Sequence, residues 1–157
     1  MRIFISKTIN APKNEVWSLL SDFSNIHNFH PLLKSSGFIE GSCTHEPGSV
    51  RRCDMLDGSY LKERIVEWKE GDFYIAEVYE TSLPIKTSRA TLGLSKLNNH
   101  TTLSYMYITM KSKYILLKPM LYLMFKFYAG PAILRGLSKA TSQKMVGGTS
   151  ELKLSTN

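Results

Sequence analysis

The 157-residue chain is 43% hydrophobic and 21% charged, which suits one globular domain with a substantial core and excludes a disordered or fibrous chain. Its formal charge of +7 admits anionic partners without choosing among nucleic acid, an acidic membrane surface and an acidic ligand. Cys43 and Cys53 lie outside any CxxC or His/Cys cluster, so a disulfide framework is excluded and neither a metal nor another cofactor is expected.

The apolar part of residues 1–7 is too short for a secretion signal, and a cytoplasmic location is expected. Residues 2–9 are rich in β-branched side chains and predict a strand. Asn10 is placed to cap a helix with Pro12 in its first turn, and Val16, Trp17, Leu19 and Leu20 supply its apolar face. Ser21-Asp22 opens a second short helix carrying Phe23, Ile26, Phe29 and Leu33, interrupted at His30-Pro31.

From residue 36 the pattern has period two. Strands are predicted over residues 37–40, 50–55, 60–68, 73–80, 87–96 and 101–110. Asp57-Gly58 is the strongest hairpin signal, read as a turn with two positive-φ residues, and Asn98-Asn99 is a further turn favouring left-handed residues. Residues 114–137 are heavily apolar, with Leu121, Phe125, Tyr128, Ala132 and Leu137 at helical intervals. Gly130-Pro131 should kink or restart that helix, and Gly147-Gly148 should end it.

These elements predict an α+β helix-grip fold: a curved antiparallel sheet of about seven strands around a long C-terminal helix, with two short helices after strand 1. Residues 1–146 form a single ligand-binding domain in this reading, and residues 147–157 a polar tail. Space that a curved sheet and a helix cannot fill becomes an apolar cavity.

Arg51 and Cys53 share a face of their strand, and the hairpin brings Arg51 within cross-strand reach of Glu63, which shares a face with Leu61. The pair either orients the polar head of a ligand or is an ion pair stitching two strands. His30 is a candidate general base, the alternative being a histidine packed under the pocket rim. Leu103, Tyr105 and Tyr107 are expected to face inward on the last strand, Ser88 and Ala90 on the strand beside it, and Ala76 and Val78 on the next. A single bulge would invert any of these parities.

Residues 114–127 are wider in apolarity than one buried face requires. With Lys111, Lys113 and Lys118 beside them, an anionic membrane surface is a candidate partner. No GxSxG, P-loop, HExxH or dinucleotide fingerprint occurs, and no nucleic-acid module is recognisable, so nucleic acid is not expected as a partner.

Ile9-Asn10-Ala11-Pro12, Val16-Trp17, Asp22-Phe23, Ile26-His27-Asn28-Phe29-His30-Pro31 and Gly48-Ser49-Val50-Arg51 appear in this order along the chain. Leu61-Lys62-Glu63-Arg64-Ile65, Leu83-Pro84-Ile85, Ala90-Thr91-Leu92 and Thr102-Leu103-Ser104-Tyr105 follow. With that order and spacing the chain resembles the START-like, or SRPBCC, superfamily (Bet v 1-like), in particular its bacterial polyketide cyclase/dehydrase-like branch. The resemblance implies the helix-grip fold and a pocket for a hydrophobic small molecule or lipid. It leaves a non-catalytic carrier, a cyclase/dehydratase without metal or nucleotide cofactor using His30 or Glu63, and a docking protein all open. By analogy with hormone receptors of the superfamily, residues 82–85 and 54–59 are a candidate gate, which brings in Leu83 and Pro84. Tyr105 and Ser88 depart from the Trp and aromatic common at these positions, which implies a different ligand.

Overall fold

The chain begins at one edge of a sheet and re-enters it at the other. In the computed structural model, which describes the backbone of residues 1–154 and the side chains of residues 1–147, β1 (Arg2–Ile9) is followed by α1 (Lys13–Leu20) and a 3₁₀ helix (Phe23–Asn28). These carry the chain across to β2 (Leu33–Phe38). From there β3 (Val50–Met55), β4 (Tyr60–Lys69), β5 (Phe73–Thr81), β6 (Ile85–Asn98) and β7 (Thr101–Ser112) meander back until β7 pairs with β1. The sheet is antiparallel throughout, in the order β1-β7-β6-β5-β4-β3-β2.

Two register shifts between β4 and β5 leave Tyr79 and Val66 unmatched in the strand ladder. Such bulges add twist and bend a sheet, giving this one a concave face. Into it pack α1, through Val16, Trp17 and Leu20, and the C-terminal helix, through Ile133, Leu134, Leu137 and Thr141. That helix arrives in stages: a 3₁₀ turn (Ile115–Leu117), α2 (Lys118–Leu123), a π-helical turn (Met124–Ala129) and α3 (Gly130–Leu154). The π turn ends directly before Gly130-Pro131. Proline has no N–H to donate and its ring crowds the preceding turn, so the widened turn is where that mismatch is absorbed.

Several local expectations are corrected. Pro12, not Asn10, occupies the N-cap of α1, with no side-chain cap bond. The second short helix is 3₁₀ and stops at Asn28, and Leu33 already belongs to β2. The β3–β4 turn uses a three-residue loop in which only Gly58 has positive φ (84°), with Gly58 N–H donating to Met55 O. That is a type I turn closed by a left-handed glycine, not the two-residue form. Neither Asn98 nor Asn99 has positive φ. Gly147-Gly148 does not end the last helix, which runs on to Leu154. Glu151, Leu152, Lys153 and Leu154 are strong helix formers, and they favour continuing the helix past two glycines. Residues 155–157, the end of the expected tail, lie outside the described residues.

Close contact with α3 depends on Gly136. A Cβ there would stand 1.9 Å from the carbonyl oxygen of Phe29, so only glycine lets the helix approach the segment that carries His30.

Candidate functional site

Between sheet and helix lies a cavity of about 320 Å³, near the lower end of the range for small-molecule sites. The inward residues of β3 to β6 build one wall: Cys53, Leu61, Val78, Ser88, Ala90 and Leu92. Phe29 and His30 close one side, and Phe125, Tyr128, Ala129 and Ile133 the other. The β3–β4 turn, through Leu56, Asp57 and Ser59, the β5–β6 loop, through Leu83, and Ile85 at the start of β6 line it as well. Leu56 and Tyr128 are exposed while lining the cavity, so the mouth opens on their side.

The 82–85 side of the candidate gate is tied to the first residue of β4, which follows the 54–59 side. Tyr60 N–H donates to Ser82 Oγ (2.9 Å), Ser82 N–H to Tyr60 O (3.1 Å) and Thr81 Oγ1 to Tyr60 O (2.7 Å). At the turn itself, Ser59 donates through both its amide and its hydroxyl to Asp57 Oδ1, which holds the Asp57 carboxyl below its ordinary range.

Arg51 and Glu63 stand directly opposite in the β3–β4 register. Arg51 Nε donates to Glu63 Oε2 (2.8 Å), Nη2 donates to the same oxygen, and Nη1 donates to Phe23 O (2.7 Å). The guanidinium, 3% exposed, also lies 3.8 Å over the Phe23 ring. Burial opposes its charge, and the neighbouring carboxylate more than offsets this, so Arg51 stays charged. The pair is thus an ion pair stitching two strands, set in the cavity wall. An aromatic stack supports it from behind: Phe23 meets Tyr74 edge-on at 5.7 Å, Tyr74 stacks on Trp68 at 5.5 Å, and Trp68 meets Trp17 at 5.4 Å. Glu70 bridges the two indoles, accepting from Trp17 Nε1 (2.6 Å) and Trp68 Nε1 (2.9 Å).

His30 is held by backbone. Its N–H donates to Ile26 O, and its Nδ1 accepts from Leu32 N–H (3.4 Å), which places the ring proton on Nε2. Burial, and then the charge of Arg51, push its pKa down to about 4, so the ring is neutral at physiological pH. Burial also raises the Cys53 thiol and the Tyr74 phenol to about 12. The Tyr74 hydroxyl is fully buried beside the Arg51 guanidinium and makes no hydrogen bond of ordinary geometry among the described residues. Among the described residues, no three His, Cys, Asp or Glu side chains come together as a metal site.

Twelve of the residues singled out from sequence stand on this cavity, and five do not. Leu103, Tyr105 and Tyr107 lie on the outer face of β7, while Thr102, Ser104, Met106, Ile108 and Met110 face in. The cause is Leu97: the β6–β7 register slips between Lys96 and Asn98, leaving it unpaired. That one-residue shift sets Leu92 opposite Met106 and Ala90 opposite Ile108, where an unbroken ladder from the Asn98–Thr101 pair would have turned the tyrosines inward. On the outer face the Tyr105 ring fills the space beside Gly93, where a Cβ would meet it at 2.4 Å. Ala76 is closed into the core between Ile65 and Ala90 on the flanking strands. Pro84 lies off the wall, its carbonyl accepting from Lys113 N–H (3.0 Å).

Met106, Ile108, Met124 and Ile133 line the cavity and are absent from the sequence-based set. The alternation of Met106 and Ile108 with two tyrosines was the available signal, but it reads equally well in either parity.

Seven antiparallel strands gripping a C-terminal helix, with a cavity between them, define a helix-grip domain of the START-like/SRPBCC superfamily. Within it the chain belongs to the family described as polyketide cyclase/dehydrase and lipid transport, which it matches over residues 2–143. Among solved structures, an uncharacterized protein from Bacillus thuringiensis is similar with a TM-score of 0.76 at 19% identity, covering 90% of this chain and 98% of that one. The protein XoxI from Bacillus cereus gives 0.77 at 20%, covering 89% and 94%. A solution structure from Thermobifida fusca gives 0.77 at 23%, covering 90% and 93%. At these identities the likeness is one of fold. No curated protein matches the chain.

Proposed function

We propose that the protein binds and carries an uncharged hydrophobic small molecule or lipid in the sheet–helix cavity, without chemical conversion. The observation that carries this reading is the cavity itself: about 320 Å³, walled mainly by aliphatic and aromatic side chains and open to solvent at one mouth. The family's description, which includes lipid transport, is in keeping with it.

Charge in the wall supports an uncharged ligand. Arg51 is matched by Glu63 and by the Phe23 carbonyl, so it is poorly placed to hold a ligand's carboxylate or phosphate. The same residues weigh against a cyclase or dehydratase. A histidine near pKa 4 is a weak base at neutral pH, and Glu63 has one oxygen committed to two guanidinium N–H groups.

Native mass spectrometry and solvent extraction of the purified protein, with a fluorescent-lipid displacement screen, test the reading. An apolar molecule should co-purify, and Ala90→Phe, which fills the cavity, should lose it while keeping the fold. A blank screen with nothing extracted would reject the carrier role. Turnover of a polyketide-type substrate that disappears in both His30→Ala and Glu63→Gln would favour the enzyme instead.

A further inference from the structure

Charge is divided unevenly along the chain. Residues 81–150 hold ten Lys and Arg and no Asp or Glu, whereas twelve of the thirteen acidic residues precede residue 81. The fold gathers part of this basic half at one end of the sheet. β6 starts there and β7 ends there, with Ile85 opposite Ser112 and Thr87 opposite Lys111. Lys86, Lys111 and Lys113 are exposed at that end, and Lys118 opens α2 beside them. None of the four enters a side-chain hydrogen bond or ion pair among the described residues.

From the same end projects an apolar surface. Ile115 and Leu116 are 84% and 87% exposed, and Met120, Leu123 and Phe127 are each more than half exposed. Of residues 114–129 only Leu121 and Ala129 are buried. The surface is continuous with the cavity, because Met124 and Tyr128 are exposed and also line it. It is tied to the gate too: Lys113 N–H and Ser112 Oγ both donate to the carbonyl of Pro84.

We propose that this end of the molecule docks on an anionic lipid bilayer. The exposed side chains of residues 115–127 enter the acyl boundary, and Lys86, Lys111, Lys113 and Lys118 meet headgroup phosphates. Docking sets the cavity mouth against the membrane, so that a ligand passes between bilayer and cavity without crossing open water. Interfacial docking is the mode available, since no described helix is long and apolar enough to cross a membrane. A bilayer fits the two features together. A second copy in a two-fold interface would face lysines with lysines, and a nucleic acid would match the charge but leave Ile115 and Leu116 against phosphate and water.

Flotation with vesicles of phosphatidylcholine alone and of phosphatidylcholine enriched in phosphatidylserine tests the proposal, at low and at physiological salt. Binding is expected only to the anionic vesicles, weakening as salt rises. Two variants, Ile115→Ser with Leu116→Ser and Lys111→Glu with Lys113→Glu, should each weaken it about tenfold or more. All four side chains are exposed, and an unchanged circular dichroism spectrum checks the fold. In Ile115→Trp, brominated lipids should quench the new indole. The proposal is overturned by no binding to either vesicle, by equal binding to both, or by vesicle binding that the Ser variants leave intact. It also fails if the same variants abolish a self-association or a nucleic-acid complex while vesicle binding is absent. Ligand extraction is done without vesicles, so failure of docking leaves the carrier reading standing, and the reverse.

Discussion

Arg51 and Glu63 face each other across β3 and β4, and Glu63 Oε2 accepts two of the guanidinium's N–H bonds. Arg51 is buried and Glu63 half-buried on the cavity wall, so removing Glu63 leaves the guanidinium charge buried without its partner. Glu63→Leu is expected to cost about 3–5 kcal/mol, while the double change Arg51→Met with Glu63→Leu should cost far less. Urea denaturation of the two single variants and the double variant measures the coupling. Additive losses would show that the pair does not act as a unit.

His30 imposes a pH dependence of definite sign. An unfolded histidine takes its proton near pH 6.5, and this one near 4. Between those values the unfolded chain holds the extra proton, so stability rises with pH across the window. It is complete above about 6.5, falls as pH drops toward 4, and does not change further from this group below that. The ring is partly exposed, so the loss is on the order of 2 kcal/mol. Chemical denaturation at several pH values should show it in the wild type and a flatter profile in His30→Asn.

Tyr74 carries a buried hydroxyl that lies beside the Arg51 guanidinium but makes no hydrogen bond of ordinary geometry among the described residues. Tyr74→Phe removes that polar atom and keeps the ring that stacks on Trp68 and meets Phe23, so stability should be unchanged or raised by about 1 kcal/mol. A fall in the thermal midpoint would mean that the hydroxyl is bonded in solution. A fall in ligand affinity at constant stability would assign that bond to the ligand.

Gly136 tests the fit of α3 against the segment that holds His30. Alanine is the better helix former by about 1 kcal/mol, but its Cβ would lie 1.9 Å from a backbone oxygen that only a main-chain shift can move. Gly136→Ala is therefore expected to lose about 2 kcal/mol or more and to weaken ligand retention through the displaced Phe29 and His30. A gain in thermal midpoint would show that the helix moves aside freely.

The contrast between β3–β4 and β6–β7 shows how far local signals reach. A two-residue Asp57-Gly58 turn would set Arg51 opposite Arg64, and it is the three-residue loop closed by Gly58 that shifts the ladder by one and sets Arg51 opposite Glu63. At the other hairpin the turn is Asn99-His100, one residue past the expected Asn98-Asn99, and Leu97 drops out of the ladder, which sets which side of β7 faces the cavity. Whether a residue is expelled from a ladder depends on how both strands pack, and on this sheet Met106 and Ile108 fill the inner face better than tyrosines whose hydroxyls would need partners.

Sequence alone determined the element order, the antiparallel meander, the place where the last helix is disturbed and the presence of two opposite charges on neighbouring strands. Each of these follows from propensities and spacings within a few residues. Tertiary structure decided the parity of β7, the contact of Gly136 with Phe29 and the exposure of the apolar side chains at 115–127. Those depend on the volume and register of elements far away in the chain. A one-residue slip turns a whole strand over, and a helix wider in apolarity than its groove must leave part of that surface outside.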